Sequence, residues 1–168
     1  MFATGLKCTI CGVSYSVVEK CTVCDRCGGL LEVQYDYDAM RSQLEKNDLQ
    51  RSNVWTLRRY LKILPIRSEF LVSLGEGCTP MVQTKRLLTG IGLNLKLDYV
   101  MPTGSFKDRG AATIVSKANE LGVKTVAIDS SGNAAASVSA YAARAGIPCY
   151  VFVPHYTHSS KIVQVCSS

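Results

Sequence analysis

K-T-V-A-I-D-S-S-G-N-A-A-A-S-V-S-A-Y-A-A-R-A-G-I-P-C-Y-V-F-V, residues Lys124–Val153, is the stretch on which the fold turns. Lys124–Ile128 is a short apolar run with β-branched residues, the pattern of a buried strand. Asn133–Ala145 is alanine-rich and helical, and Gly146 stands where a glycine ends a helix. Pro148 then opens C-Y-V-F-V, a further buried strand. Working outward, Phe106–Leu121 repeats apolar residues at helical spacing (Ile114, Val115, Ala118, Leu121) and is followed by Gly122. N-L-K-L-D, Asn94–Asp98, alternates as a short strand does. Strand, helix, strand, helix, strand at these lengths predicts βαβ units on a parallel sheet with right-handed crossovers, so the fold class is α/β.

Three zones separate along the 168 residues. Residues 1–37 hold five of the eight cysteines and form a small cysteine-rich module. Residues 38–73 read as a helical connecting segment, with Asp38 as N-cap and V-W-T-L-R-R-Y-L-K-I-L amphipathic up to Pro65. Trp55 and Tyr60 there read as packing residues. Residues 74–168 carry the α/β pattern. Apolar residues make up 47% of the chain and charged residues 19%, enough to build a core and too apolar for wholesale disorder.

The formal charge of +6 divides as −1 over residues 1–37, +3 over 38–75 and +4 over the rest. No Lys or Arg run exceeds two residues, so a surface that tracks nucleic-acid phosphates is not expected. No apolar run is long enough for a transmembrane helix, and M-F-A-T-G-L-K-C lacks the apolar core of a secretory signal. A reducing cytoplasm is the expected compartment, so the cysteines call for an explanation other than disulfides.

Cys8 and Cys11 form C-T-I-C, Cys24 and Cys27 form C-D-R-C, and twelve residues separate the pairs. Each such turn aims two thiolates at one centre, and two turns complete a tetrahedral zinc site. Gly12 and Gly28 follow the second cysteine of each pair and permit a tight backbone there. Metal would also compensate for a module too small to fold on its core alone. Cys21 offers an alternative second pair, C-T-V-C with Cys24; Cys24/Cys27 is preferred because C-G-G-L-L leads on into a strand. Four protein ligands close such a site, making it structural. Cys78, Cys149 and Cys166 stand apart and read as small core residues.

P-T-G-S-F-K-D-R-G, Pro102–Gly110, lies between a strand and the long helix. Thr103 and Ser105 are candidate caps, Gly104 permits a sharp turn, and Lys107 falls in the first turn of the helix. A cation there opposes the helix dipole. The same field lowers an amine's pKa, which is what a Schiff-base lysine needs. One strand later Ser130, Ser131, Gly132 and Asn133 stand at the mouth of the next helix, where hydroxyls and free amides cradle a carboxylate or phosphate. Plain N-capping by Ser131 or Asn133 is the simpler reading of that loop. Both loops follow strand C-termini, the edge where open parallel sheets place their sites.

L-G-E-G-C-T-P, P-T-G-S-F-K-D-R-G-A and S-S-G-N-A-A-A-S-V-S-A-Y-A-A-R-A-G-I-P together resemble fold-type-II pyridoxal-phosphate enzymes, and above all the threonine synthase family. The K-C-T-I-C-G and C-D-R-C-G-G-L-L-E-V-Q-Y-D-Y-D segments resemble the cysteine-rich extension of its archaeal and some bacterial members. The resemblance implies Lys107 as the lysine that holds pyridoxal 5'-phosphate. It implies Asn133 beside the cofactor's 3′-oxygen, and Ser131, Gly132 and nearby amides around the substrate α-carboxylate. The reaction implied is conversion of O-phosphohomoserine and water to threonine and phosphate, with Lys107 as the base. The implied partner is a small amino-acid phosphate; neither nucleic acid nor membrane is expected, and homo-oligomerisation stays open.

Family members are more than twice this length, and their cofactor-phosphate loop and ring-nitrogen residue lie in the second half. T-G-I-G, Thr89–Gly92, is not such a loop. The chain therefore reads as an N-terminal part, inactive alone. Cys78 stands where the family pattern has asparagine before T-P. A serine or threonine dehydratase shares the lysine and S-G-N logic, and a zinc-ribbon adaptor with a vestigial domain is the non-enzymatic alternative. His155 and His158 read as solvated loop residues.

Overall fold

A computed structural model describes residues 1–84 and 90–166. Thr89, the start of T-G-I-G, and the closing Ser167 and Ser168 lie outside the described residues. The chain opens with three antiparallel strands, β1 (Ala3–Cys8), β2 (Ser14–Tyr15) and β3 (Leu31–Tyr35), in the order β2-β1-β3. Leu6 pairs with Tyr15 on one side and Val33 on the other, and the β1/β3 register shifts between Ala3 and Gly5. The two C-x-x-C turns hang from this small sheet.

Helix α1 (Tyr37–Gln43) follows at once, because the Asp36 carboxylate, rather than Asp38, accepts from Ala39 N–H at 2.8 Å. A second short helix, α2 (Lys46–Arg51), completes the regular part of the connection. The amphipathic run expected up to Pro65 is instead a 3-10 turn over Leu57–Tyr60. Two bonds mark its start. Leu57 N–H is given to Glu76 C=O at 2.7 Å, outside the segment, and the Thr56 hydroxyl accepts from Arg58 N–H at 3.3 Å. The start is thus held to a distant loop, and Leu61 N–H then closes an i to i−3 turn on Arg58 C=O at 3.2 Å. Trp55 is not a packing residue: it is 67% exposed, with the Arg59 guanidinium 4.4 Å from its ring centre. Tyr60 does pack against the core.

Strands β4 (Met81–Thr84) and β5 (Leu93–Lys96) pair antiparallel, Val82 opposite Leu95. The N-L-K-L-D strand therefore stands apart from the parallel sheet it was expected to join. Its alternation of leucine with polar residues suits a ribbon open to water, whereas strands in a covered parallel sheet are apolar throughout. The parallel pairing is between β6 (Val126–Asp129) and β7 (Cys149–Phe152), Ala127 opposite Tyr150. Helices α3 (Lys107–Glu120), α4 (Asn133–Ala145) and α5 (Ser159–Cys166) complete the unit. Gly122 and Gly146, at φ 65° and 69°, end α3 and α4 in the left-handed conformation that glycine adopts without a Cβ penalty.

The core lies where α3 meets α4. Ala111, Ala112, Val115 and Tyr141 are buried there with Leu57 and Val72. Small side chains on both helices let the two backbones approach closely. This packing brings the starts of α3 and α4 to one end of the unit.

Candidate active site and metal centre

Lys107 is the first residue of α3, exposed, with its ammonium 4.6 Å from the centre of the exposed Phe106 ring. Its backbone N–H is given to Ser105 Oγ at 3.2 Å, so Ser105 serves the helix start as expected. Thr103 does not cap. Its hydroxyl and its N–H both go to Asp108, the N–H at 2.8 Å. Asp108 is fully buried and also accepts from the Ser137 hydroxyl of α4 at 2.6 Å. The first turn of α3 is thereby joined to α4 one turn past Asn133.

At the mouth of α4 no side chain caps the helix. Ser131 and Asn133 were the expected caps. Instead Gly132 holds the cap position, Ser130 Oγ accepts its N–H at 3.3 Å, and Asn133 is exposed. Helix-start amides left free of side-chain caps are suited to an anion. An exposed lysine at one helix start and uncapped amides at the next fit an aldehyde cofactor carrying an amino-acid carboxylate.

The L-G-E-G-C-T-P loop adds a second buried carboxylate. Glu76 accepts from Tyr141 Oη at 2.9 Å, Leu74 N–H at 2.9 Å and Ser73 Oγ at 3.0 Å. Its Oε1 has no partner among the described residues. Burial first, then the Glu76 hydrogen bond and the Glu76 and Asp108 charges, hold the Tyr141 phenol protonated. Farther along, Asp98 accepts from Thr79 Oγ1 at 2.6 Å and Arg109 at 2.9 Å. The Thr79 hydrogen bond, followed by the Arg109 bond and charge and the Lys96 charge, outweighs burial and holds the Asp98 carboxyl below the usual range. Glu76, Asp108, Ser137 and Tyr141 escaped the sequence reading. All four lie inside the three quoted motifs, but nothing local marks them as buried.

In the cysteine module the sulfurs of Cys8, Cys11, Cys24 and Cys27 all lie within 4.8 Å of one another. Cys8 and Cys27 are 3.5 Å apart, as are Cys11 and Cys24. A tetrahedron with Zn–S bonds of about 2.3 Å has edges of about 3.8 Å, so the donor set fits a zinc ion. Cys21 is not in this group. The two turns match: Gly12 N–H bonds Cys8 C=O at 3.1 Å and Gly28 N–H bonds Cys24 C=O at 2.8 Å. A Cβ on Gly29 would lie 2.8 Å from Cys8 Sγ. Tyr15, also missed in the sequence, places its hydroxyl 3.0 Å from Cys24 Sγ. That hydrogen bond, with the Cys27 and Arg26 amides, outweighs burial and lowers the Cys24 thiol to about 6.

The chain belongs to the pyridoxal-phosphate dependent enzyme family, whose pattern residues 72–166 match. Within it the chain is similar to threonine synthases. That of Methanosarcina acetivorans is 43% identical over 152 residues, covering 89% of this chain and 36% of the relative. That of Methanocaldococcus jannaschii is 42% identical over 154 residues, covering 88% and 37%. The chain thus spans little more than a third of these relatives' length. A pyridoxal 5'-phosphate-dependent aspartate racemase structure superposes with a TM-score of 0.50 at 29% identity, over 53% of this chain and 30% of that one.

Proposed function

We propose that the chain supplies the lysine-bearing part of a threonine synthase-like enzyme, which converts O-phosphohomoserine and water to threonine and phosphate. The observation that carries this is Lys107 at the open start of α3, tied through Asp108 and Ser137 to the uncapped start of α4. The similarity to archaeal threonine synthases covers 89% of the chain, too much to exclude the cysteine module, and so favours this reading over a dehydratase. Pyridoxal phosphate, when bound, supplies an electron sink for charge developing at the substrate Cα. Lys107 would hold the cofactor through its amine, and the same amine would take the proton from the substrate Cα. Ser131, Gly132 and the first amides of α4 would bind the substrate carboxylate, and Asn133 would face the cofactor's 3′-oxygen.

Zinc bound by Cys8, Cys11, Cys24 and Cys27 is structural in this reading. It stiffens the module of residues 1–37, beside the connecting segment 38–73 and the enzyme part 74–168. The reduced thiols suit a cytoplasmic enzyme of small molecules. The test is a chimera in which these residues replace the matching part of the Methanosarcina acetivorans enzyme. It should release phosphate and form threonine from O-phosphohomoserine, and Lys107→Ala should abolish both. Deamination of threonine in place of that reaction would favour the dehydratase, and no reaction of either kind the adaptor.

A further inference from the structure

Below the proposed site lies polar machinery that the reaction does not use. Asp108, beside Lys107, is fully buried and satisfied by three donors, none of them cationic: Thr103 N–H, the Thr103 hydroxyl and the Ser137 hydroxyl. The two hydroxyl oxygens are themselves 2.8 Å apart. A buried carboxylate is costly, and an apolar residue would serve packing alone at least as well. Short bonds to a charged acceptor fix direction as well as distance.

What they fix is the setting of α4. Asn133, Ser137 and Tyr141 are four residues apart and so share one face of that helix. Ser137 is held by Asp108 and Tyr141 by Glu76. Most of the rest of α4 is alanine, and its buried Ala135, Ala136 and Ala142 match Ala111 and Ala112 of α3. Such smooth surfaces fit one another in several rotations and heights. Two buried carboxylates, each gripping one residue of the stripe, select one.

We propose that Asp108, with Thr103 and Ser137, is a positioning site that turns the 131–133 loop and Asn133 toward Lys107. The inference rests on the reading of Lys107 as the cofactor-holding lysine. Any rotation of α4 about its axis carries Asn133, at its first turn, with it. Loss of the Asp108 grip therefore misplaces the carboxylate cradle relative to the lysine without opening the core.

Thr103→Val deletes one hydroxyl at nearly constant shape, and Thr103→Ser restores it. The full chain is incubated with pyridoxal phosphate, reduced with borohydride and mapped by peptide mass, while circular dichroism reports the fold. In the unaltered chain the label concentrates on Lys107. In Thr103→Val the Lys107 share, relative to other lysines, falls by roughly tenfold, the scale of one hydrogen bond to a charged group. Amide exchange at 133–135 quickens in the same variant, and Thr103→Ser recovers both. Ser137→Ala, which only shortens a side chain, repeats the loss should Thr103→Val fold poorly. A variant that melts earlier yet labels Lys107 as the unaltered chain does would overturn the proposal and leave the lysine reading intact. Even labelling of all lysines in the unaltered chain would overturn that reading, and this proposal with it.

Discussion

At Cys78 the backbone has φ 45°, the one non-glycine residue with positive φ among the described residues. A side chain there crowds the following carbonyl, and asparagine tolerates the geometry better by bonding locally. The asparagine expected before T-P thus has a conformational reason. Cys78→Asn should stabilise the chain by ~0.5–1 kcal/mol, read from urea unfolding. Asp98 gives a second expectation. Its lowered pKa stabilises the fold above the unfolded-state value of about 3.9 and ceases to do so as pH falls through the folded value. Asp98→Asn should flatten the loss of stability below about pH 4, measured by denaturant titration across pH. Lys107 and Asn133 could be picked out from the sequence because they sit in recognisable turns. Asp108 and Glu76 could not: a lone acidic residue defaults to solvent, and only the packing of α3, α4 and the 73–79 loop shows that these two are enclosed.

Elements were legible where their signals were local. The bounds of α4 match the alanine run from Asn133 to Ala145, and α3 differs from its expected range by one residue at each end. The 55–65 segment forms a 3-10 turn where a longer helix was expected, and its start is held from afar by Glu76 C=O. Gly77 makes that junction possible: a Cβ there would lie 2.7 Å from Leu57 N, at φ 109°. Gly77→Ala should destabilise the fold by about 1–3 kcal/mol, seen as a lower urea midpoint. The cysteine module makes its own prediction. Freshly reduced protein should hold about one zinc per chain, with Cys27→Ser losing it and Cys21→Ser keeping it in elemental analysis. A chelator should then raise amide exchange across β1–β3 while α3 and α4 stay protected.

For the molecule as a whole, periodicity yielded the α/β class but not which strands pair. Pairing of N-L-K-L-D with β4 instead of β6 or β7 is a long-range outcome with no local mark. The β6–β7 ribbon is where the whole is least finished. Helix α4 packs against both strands, while Tyr150 and Phe152, alternating along β7, are each 62% exposed. Parallel strands ordinarily have both faces covered. The consequence is a solution behaviour set by temperature and salt. Attraction between apolar faces weakens on cooling and strengthens with excluded salts such as sulfate. The purified chain should stay dispersed in the cold at low ionic strength and scatter light reversibly on mild warming or on adding sulfate. Tyr150→Lys with Phe152→Lys should shift that onset to higher temperature and leave the circular dichroism spectrum unchanged.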